Sequence, residues 1–328
     1  MEDIKIVIDC CGADNPKEVI IGASRAVNEI QGVSLILVGF EDEIKSVLSN
    51  CQYDKSKIEI INATENITNN DEPVFAIRTK PNSSLPKAYE VLKNGQAKAL
   101  ISAGSTGALL AGSMLCLGKE NMLERPFLAS LLPTDDGKYV CLADCGANVD
   151  CKPHQLLAFA KYSALYMKSY FGIESPKVAL LSVGTEEKKG NAVTKETFAL
   201  LKESGLNFIG NIEGKTVLSG DADVVVADGF SGNVLLKNIE GTAKSVILRL
   251  NGIIKRLATE KDDLTLIKKS FQELMKKLDF NTQGGAVILG IKKVVVKAHG
   301  AGTSETIVST VKQAKKMLDG GFERFFNN

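Results

Sequence analysis

Short runs of aliphatic and β-branched residues alternate with longer amphipathic stretches along most of the chain. The runs at residues 4–8, 33–38, 58–61, 99–102, 140–143, 178–182, 224–227 and 293–296 are nearly continuous in apolar character. Such runs mark strands that are covered on both faces. Helices are predicted between them, over residues 17–29, 41–49, 85–94, 108–117, 153–170, 191–203 and 304–318. The alternation implies an α/β fold built on a largely parallel, doubly wound sheet. Ligands of such folds bind outside the carboxyl ends of the strands, so the turns found there are expected to carry the function.

One segment departs from the alternation. Residues 237–278 read as two consecutive helices with no strand between them. Apolar positions recur at three- and four-residue spacing through Ile239, Ala243, Val246, Leu250, Ile253 and Leu257, and again through Leu264, Ile267, Phe271, Leu274 and Leu278. From Lys244 to Leu278 nine Lys or Arg stand against four Asp or Glu. A two-helix hairpin with broad apolar faces cannot bury itself, so a partner subunit or a membrane surface is expected to cover it. The alternative is ordinary packing on the protein's own sheet.

Whole-chain charge narrows the classes. Forty basic side chains against thirty-nine acidic ones leave a net charge of +1 over 328 residues. That excludes a strongly basic nucleic-acid binder and an acidic disordered chain. The start, Met1-Glu2-Asp3-Ile4-Lys5, does not read as a signal peptide. The uncharged stretch 99–118 holds four glycines and reads as strand, turn and buried helix rather than a membrane span. Seven cysteines with no C-x-x-C point to a reducing cytosol. Cys141, Cys145, Cys151 and His154 match no zinc-site spacing, so no metal is expected.

The turns after the strands are distinctive. They are Asp9-Cys10-Cys11-Gly12-Ala13-Asp14, Ser102-Ala103-Gly104-Ser105-Thr106-Gly107, Asp144-Cys145-Gly146-Ala147-Asn148, Gly184-Thr185-Glu186-Glu187-Lys188-Lys189-Gly190-Asn191 and Asp228-Gly229-Phe230-Ser231-Gly232-Asn233. Glycines let backbone N–H groups approach a ligand, and a following helix turns its positive end toward it. Any one such turn is an ordinary connection; five together predict an anion site. No G-x-G-x-x-G occurs, and Gly210-Asn211-Ile212-Glu213-Gly214-Lys215-Thr216 is one residue too short for a P-loop.

In their order these turns resemble the phosphate acyltransferase (PlsX) family of bacterial phospholipid synthesis. The most telling runs are Ser102 to Ala108, Gly146-Ala147-Asn148-Val149-Asp150-Cys151-Lys152-Pro153, Asn207 to Gly214, Asp228 to Val234 with Leu236-Lys237, and Lys297-Ala298-His299-Gly300. The resemblance spans Ile6 to about Ala314. It implies a three-layer α/β/α sandwich, expected here as a single catalytic domain over 1–328 with a protruding hairpin over 237–280. It also implies transfer of a long acyl chain from acyl carrier protein to inorganic phosphate, without a cofactor. The acyl phosphate would feed a downstream glycerol-3-phosphate acyltransferase. A cytoplasmic homodimer held peripherally at the membrane surface is further implied. Some positions depart from the family pattern: Cys10 and Cys11 replace Ala-Met in the first turn, Ser105 replaces asparagine, and Ala301 and Gly302 replace serines.

Phosphate attacking a thioester needs positioning, oxyanion stabilisation and help for a departing thiolate. The candidate catalytic residues are Lys189, Asn233 and His299: Lys189 or Lys188 pairs with phosphate, Asn233 donates to the oxyanion, and His299 protonates the thiolate. Asp9, Gly12, Ser102, Gly104, Ser105, Thr106, Gly107, Asn148, Lys188 and Gly232 are the candidate substrate-binding residues. Two other readings remain beside this one, a phosphotransacylase using acyl-CoA and a catalytically silent membrane scaffold.

Overall fold

The computed structural model describes residues 3–119, 123–257 and 284–322, together with Lys269 and Phe271. Its strands in chain order are β1 (Ile4–Asp9), β2 (Val33–Gly39), β3 (Ile58–Asn62), β4 (Ala99–Ser102), β5 (Phe127–Pro133) and β6 (Tyr139–Ala143). They continue with β7 (Val178–Ser182), β8 (Phe208–Glu213), β9 (Val224–Val226), β10 (Ala286–Leu289) and β11 (Val294–Lys297). The helices are α1 (Pro16–Glu29), α2 (Glu41–Leu48), α3 (Pro73–Thr79), α4 (Ser84–Lys93), α5 (Thr106–Gly112), α6 (Pro153–Phe171), α7 (Ala192–Lys202), α8 (Gly229–Leu257) and α9 (Ser304–Asp319).

Eleven strands form one sheet in the order β3-β2-β1-β4-β11-β10-β5-β6-β9-β7-β8. Successive side chains point to opposite faces, and both faces are covered. Ile6, Ile8, Leu35 and Ile101 pack with α1, α6 and α9 on one side. Val7, Ile36 and Leu100 pack with α4, α5 and the start of α8 on the other. This is the mixed α/β sandwich, with a mostly parallel sheet, that the apolar runs predict.

Three strands and one helix lie outside the sequence expectations: β5, β8, β10 and α3. β5 ends in Pro133, and β8 carries Gly210 and Asn211, all poor strand residues. Their state is decided by neighbours. β10 pairs antiparallel with both β11 and β5, and β8 lies at the sheet edge beside β7. β8 runs straight through the P-loop-like residues and ends in a single 3₁₀ turn at Gly214–Thr216. The expected helix over 108–117 is α5 followed by one π-helical turn, Ser113–Leu117.

The registers also decide direction. β3, β2, β1, β4 and β11 run parallel to one another, as do β6, β9, β7 and β8. Three successive antiparallel pairings, β11 to β10, β10 to β5 and β5 to β6, set the two groups in opposite senses. Val296, Val287, Ala129 and Ala143 stand level across these four strands. The carboxyl ends of β11 and β6 therefore meet at one height while pointing opposite ways, about 14 Å apart across three strand spacings.

α8 begins earlier than the sequence suggests. The Asp228 carboxylate accepts from Ser231 N at 2.8 Å and from Ser231 Oγ at 2.9 Å, so it caps the helix and residues 229–233 are already helical. Leu236 is buried, but no residue from 241 to 254 is, and Leu248 is 61% exposed. Most of the second predicted helix, 264–278, lies outside the described residues.

Candidate active site

A cleft of about 380 Å³ lies over β5 and β10, between the two opposed sets of carboxyl ends. Leu128, Ser130, Leu131 and Leu132 of β5 and Ala286 of β10 line its floor, with Cys145 and Gly146 beyond β6. Lys297, His299 and Gly300 contribute from β11 and Thr106 from α5. Asn233, Leu236, Lys237 and Glu240 line it from the first turns of α8. At 1.5 Å rise per residue, Asn233 and Glu240 are about 10 Å apart along that helix.

The turns at one end are locked together by buried polar groups. Asp9 is buried; its Oδ1 accepts from Cys11 N at 3.1 Å and its Oδ2 from Ser102 Oγ at 2.7 Å. Ser102 Oγ in turn accepts from Gly104 N at 3.1 Å. Asp14 N donates to Gly300 O at 3.0 Å, which joins the first turn to the one after β11. At the other end Asp144 Oδ1 accepts from the N–H groups of Leu128, Gly146 and Ala147. Its Oδ2 accepts from both the backbone and the side-chain amide of Asn148. Asn148 also donates to Pro126 O at 3.0 Å. Burial raises the carboxyl pKa of both Asp9 and Asp144 despite these donors. These two aspartates organise turns.

The cleft cations are less usual. Lys297 Nζ donates to the carbonyls of Ala103 and Ala298. Burial, and next the nearby charge of Lys237, pull its pKa down to about 8. Lys237 pairs with Glu240 Oε2 at 2.7 Å. His299 Nδ1 accepts from Ala301 N at 3.2 Å, so the neutral ring carries its proton on Nε2. Burial and Lys237 lower its pKa. Asn233 is exposed, and the backbone of Gly146, at φ +125°, passes beside its amide.

Residues 4–324 match the family model described as "Fatty acid synthesis protein". A phosphate acyltransferase of Oceanobacillus iheyensis is 44% identical over 96% of this chain and 94% of its own. One from Clostridioides difficile is 42% identical over 97% of this chain and 93% of its own. The chain belongs to the phosphate acyltransferase family. It is thus an acyltransferase enzyme, and the sequence resemblance is borne out. Solved structures share the fold: a phosphotransacetylase from Streptococcus pyogenes has a TM-score of 0.66 at 18% identity, covering 97% of this chain and 94% of its own. A branched-chain phosphotransacylase from Enterococcus faecalis has a TM-score of 0.56 at 18% identity, covering 96% and 99%.

Among the acyltransferase residues singled out from sequence, Asn233, His299 and Thr106 line the cleft. Asp9, Ser102 and Asn148 are buried in the turn networks beneath it. Gly12 and Gly104 pack against each other, Ser105 caps α5, and Gly107 lies against Pro73. Gly232 backs onto the Asp144 carbonyl. Lys188 and Lys189 are exposed on the loop after β7, two strands out from β6, and neither lines the cleft. The cleft residues missed as candidates are Lys237, Glu240, Lys297 and the β5 leucines. Lys297 and Lys237 stand inside the Lys297-Ala298-His299-Gly300 and Leu236-Lys237 motifs, the signal that could have found them. His154 is engaged with Glu124 at 3.1 Å, and Cys151 Sγ donates to Asn148 O.

Proposed function

We propose that the enzyme moves a long acyl group from the thioester of an acyl carrier protein to inorganic phosphate, releasing an acyl phosphate. The observation that carries this reading is that Lys237, Lys297, Asn233 and His299 meet on one cleft whose floor is leucine. The phosphate dianion needs charge neutralisation rather than a strong base, and the two lysines supply it. This takes over the role assigned from sequence to Lys188 and Lys189. The Asn233 carboxamide donates to the oxyanion as the carbonyl becomes tetrahedral. His299, neutral at physiological pH, offers Nε2–H as a further donor. Leu128, Leu132 and Leu236, which share one face of the sheet, hold the acyl chain nearest the carbonyl, and burying each methylene contributes about 0.8 kcal/mol.

In this reading α8 and the rest of the 237–280 excursion make a homodimer contact and hold the catalytic domain to the cytoplasmic face of the membrane. The support is a helix with no buried residue over 241–254 and with Val246, Leu248 and Ile253 exposed. A membrane-bound glycerol-3-phosphate acyltransferase would take up the product there. Release of free carrier thiol from purified enzyme, acyl carrier thioester and phosphate is the test. Thiol release should require phosphate; release at the same rate without it removes phosphate as the acceptor. Faster turnover of the coenzyme A thioester would transfer the donor role to acyl-CoA.

A further inference from the structure

Acyl transfer as proposed above leaves one proton to be moved. Hydrogen phosphate brings a proton that the far more acidic acyl phosphate does not keep, and the departing thiolate needs one. We infer that Lys297 is the proton relay of the cleft, passing a proton from Nζ to the leaving sulfur and recovering one from the phosphoryl group of the new acyl phosphate. The phosphate oxygen bonds to the carbonyl carbon, and the carbon–sulfur bond breaks with its electron pair on sulfur. The net result carries the proton of hydrogen phosphate to the thiol, so atoms and charge balance without any other reactant.

Three observations support the assignment. First, Lys297 lines the cleft with two of its three N–H groups on the carbonyls of Ala103 and Ala298, which leaves one for a ligand. Second, burial and then the charge of Lys237 favour loss of its proton, while two acidic side chains favour its return. Lys237 opposes its charge from α8, where Glu240 is already paired with Lys237; Asp9 on β1 and Asp14 in the turn after it favour that charge. His299 lies two residues along, and Cys145 lines the same cleft. The flanking strands bring only Ser102 and Ala286 level with Lys297, and α9 adds apolar Val308 and Val311 to the core beneath β11. Third, a pKa drawn down to about 8 stands close to the roughly 8.5 of an ordinary thiol, which allows proton transfer in both directions. His299 is the weaker donor, because its lowered pKa leaves it uncharged at neutral pH.

The decisive comparison is wild type against Lys297→Arg, across pH, on two thioesters of one acyl chain: the carrier thioester and an aryl thioester. Arginine keeps the charge but holds no transferable proton. The variant should lose about 10²-fold or more in kcat on the carrier thioester. It should also lose the decline in wild-type kcat above pH 8. The aryl thioester, whose thiolate leaves without protonation, should lose at least tenfold less than the carrier thioester does. Equal losses on both thioesters, or a variant with the wild-type alkaline decline, would make Lys297 a phosphate ligand only and overturn the relay. The wild type gives a second arm that does not depend on how the variant folds. A solvent deuterium isotope effect on kcat should appear with the carrier thioester and vanish with the aryl one; the same effect on both overturns the relay. Wild type without phosphate-dependent thiol release would instead remove the acyl-transfer reading on which the relay rests.

Discussion

Gly232 and Asn233 are adjacent, yet they answer to different constraints. A Cβ on Gly232 would lie 2.0 Å from the Asp144 carbonyl oxygen, closer than any real contact. Gly232→Ala must push α8 off the turn after β6 and should cost about 1–3 kcal/mol, read as a lower urea midpoint. Asn233 is exposed and holds little packing, so Asn233→Ala should leave that midpoint unchanged. Its turnover should fall by about 10²–10³-fold, the usual loss of one oxyanion donor. A near-normal rate at saturating phosphate would take its amide out of the chemistry. The residue types announced turns at both positions; that one is structural and the other faces the cleft is visible only in what each touches.

α8 is the element that binds the halves of the site together. Its first turns hold the cleft wall, and the Asp228 cap keeps them in place. Asp228→Ala should cost about 1 kcal/mol through loss of the N-cap, seen as a small drop in melting temperature. Because the cap is next to Asn233, kcat should fall more than stability alone explains. An unchanged kcat would mean that the cap and the site are independent. β5 is the opposite case, a floor strand that its own pattern does not announce. Phe127 to Leu132 is apolar enough, but Pro133 and the unrecognised β10 conceal its pairing. Hydrogen bonds to two neighbours decide its state, and no local signal carries that information.

The described structure is two oppositely directed parallel groups joined by three antiparallel pairings, with one long helix that packs on the sheet through its first turns and has no buried residue over 241–254. In the proposed reading a second copy or a membrane covers the exposed apolar side chains of that helix. Leu248→Glu with Ile253→Glu should abolish both dimerisation and flotation with anionic vesicles, since each charge would have to be buried. Turnover of a soluble thioester in the monomer then reports whether the cleft needs a partner. A double variant that stays dimeric and still floats would assign α8 to neither contact.

The parallel strands, the turn chemistry and the family were legible from sequence because each depends on local pattern. Strands covered on both faces must be apolar throughout, and turns with close backbone approaches must be glycine. The helical character of residues 237–257 was legible for the same reason, but the start of α8 at Gly229 was not, since Asp228 to Asn233 reads as a turn. Which lysines line the cleft was not. Lys188 and Lys189 occupy a glycine turn like the others, and only the strand order moves them two strands away, while the end of β11 brings Lys297 to the cleft. Direction was equally hidden, since an apolar run reads the same whichever way it pairs. The meeting of opposed carboxyl ends over β5 and β10 comes from hydrogen bonds between strands that are more than a hundred residues apart in the chain. Tertiary pairing decided it.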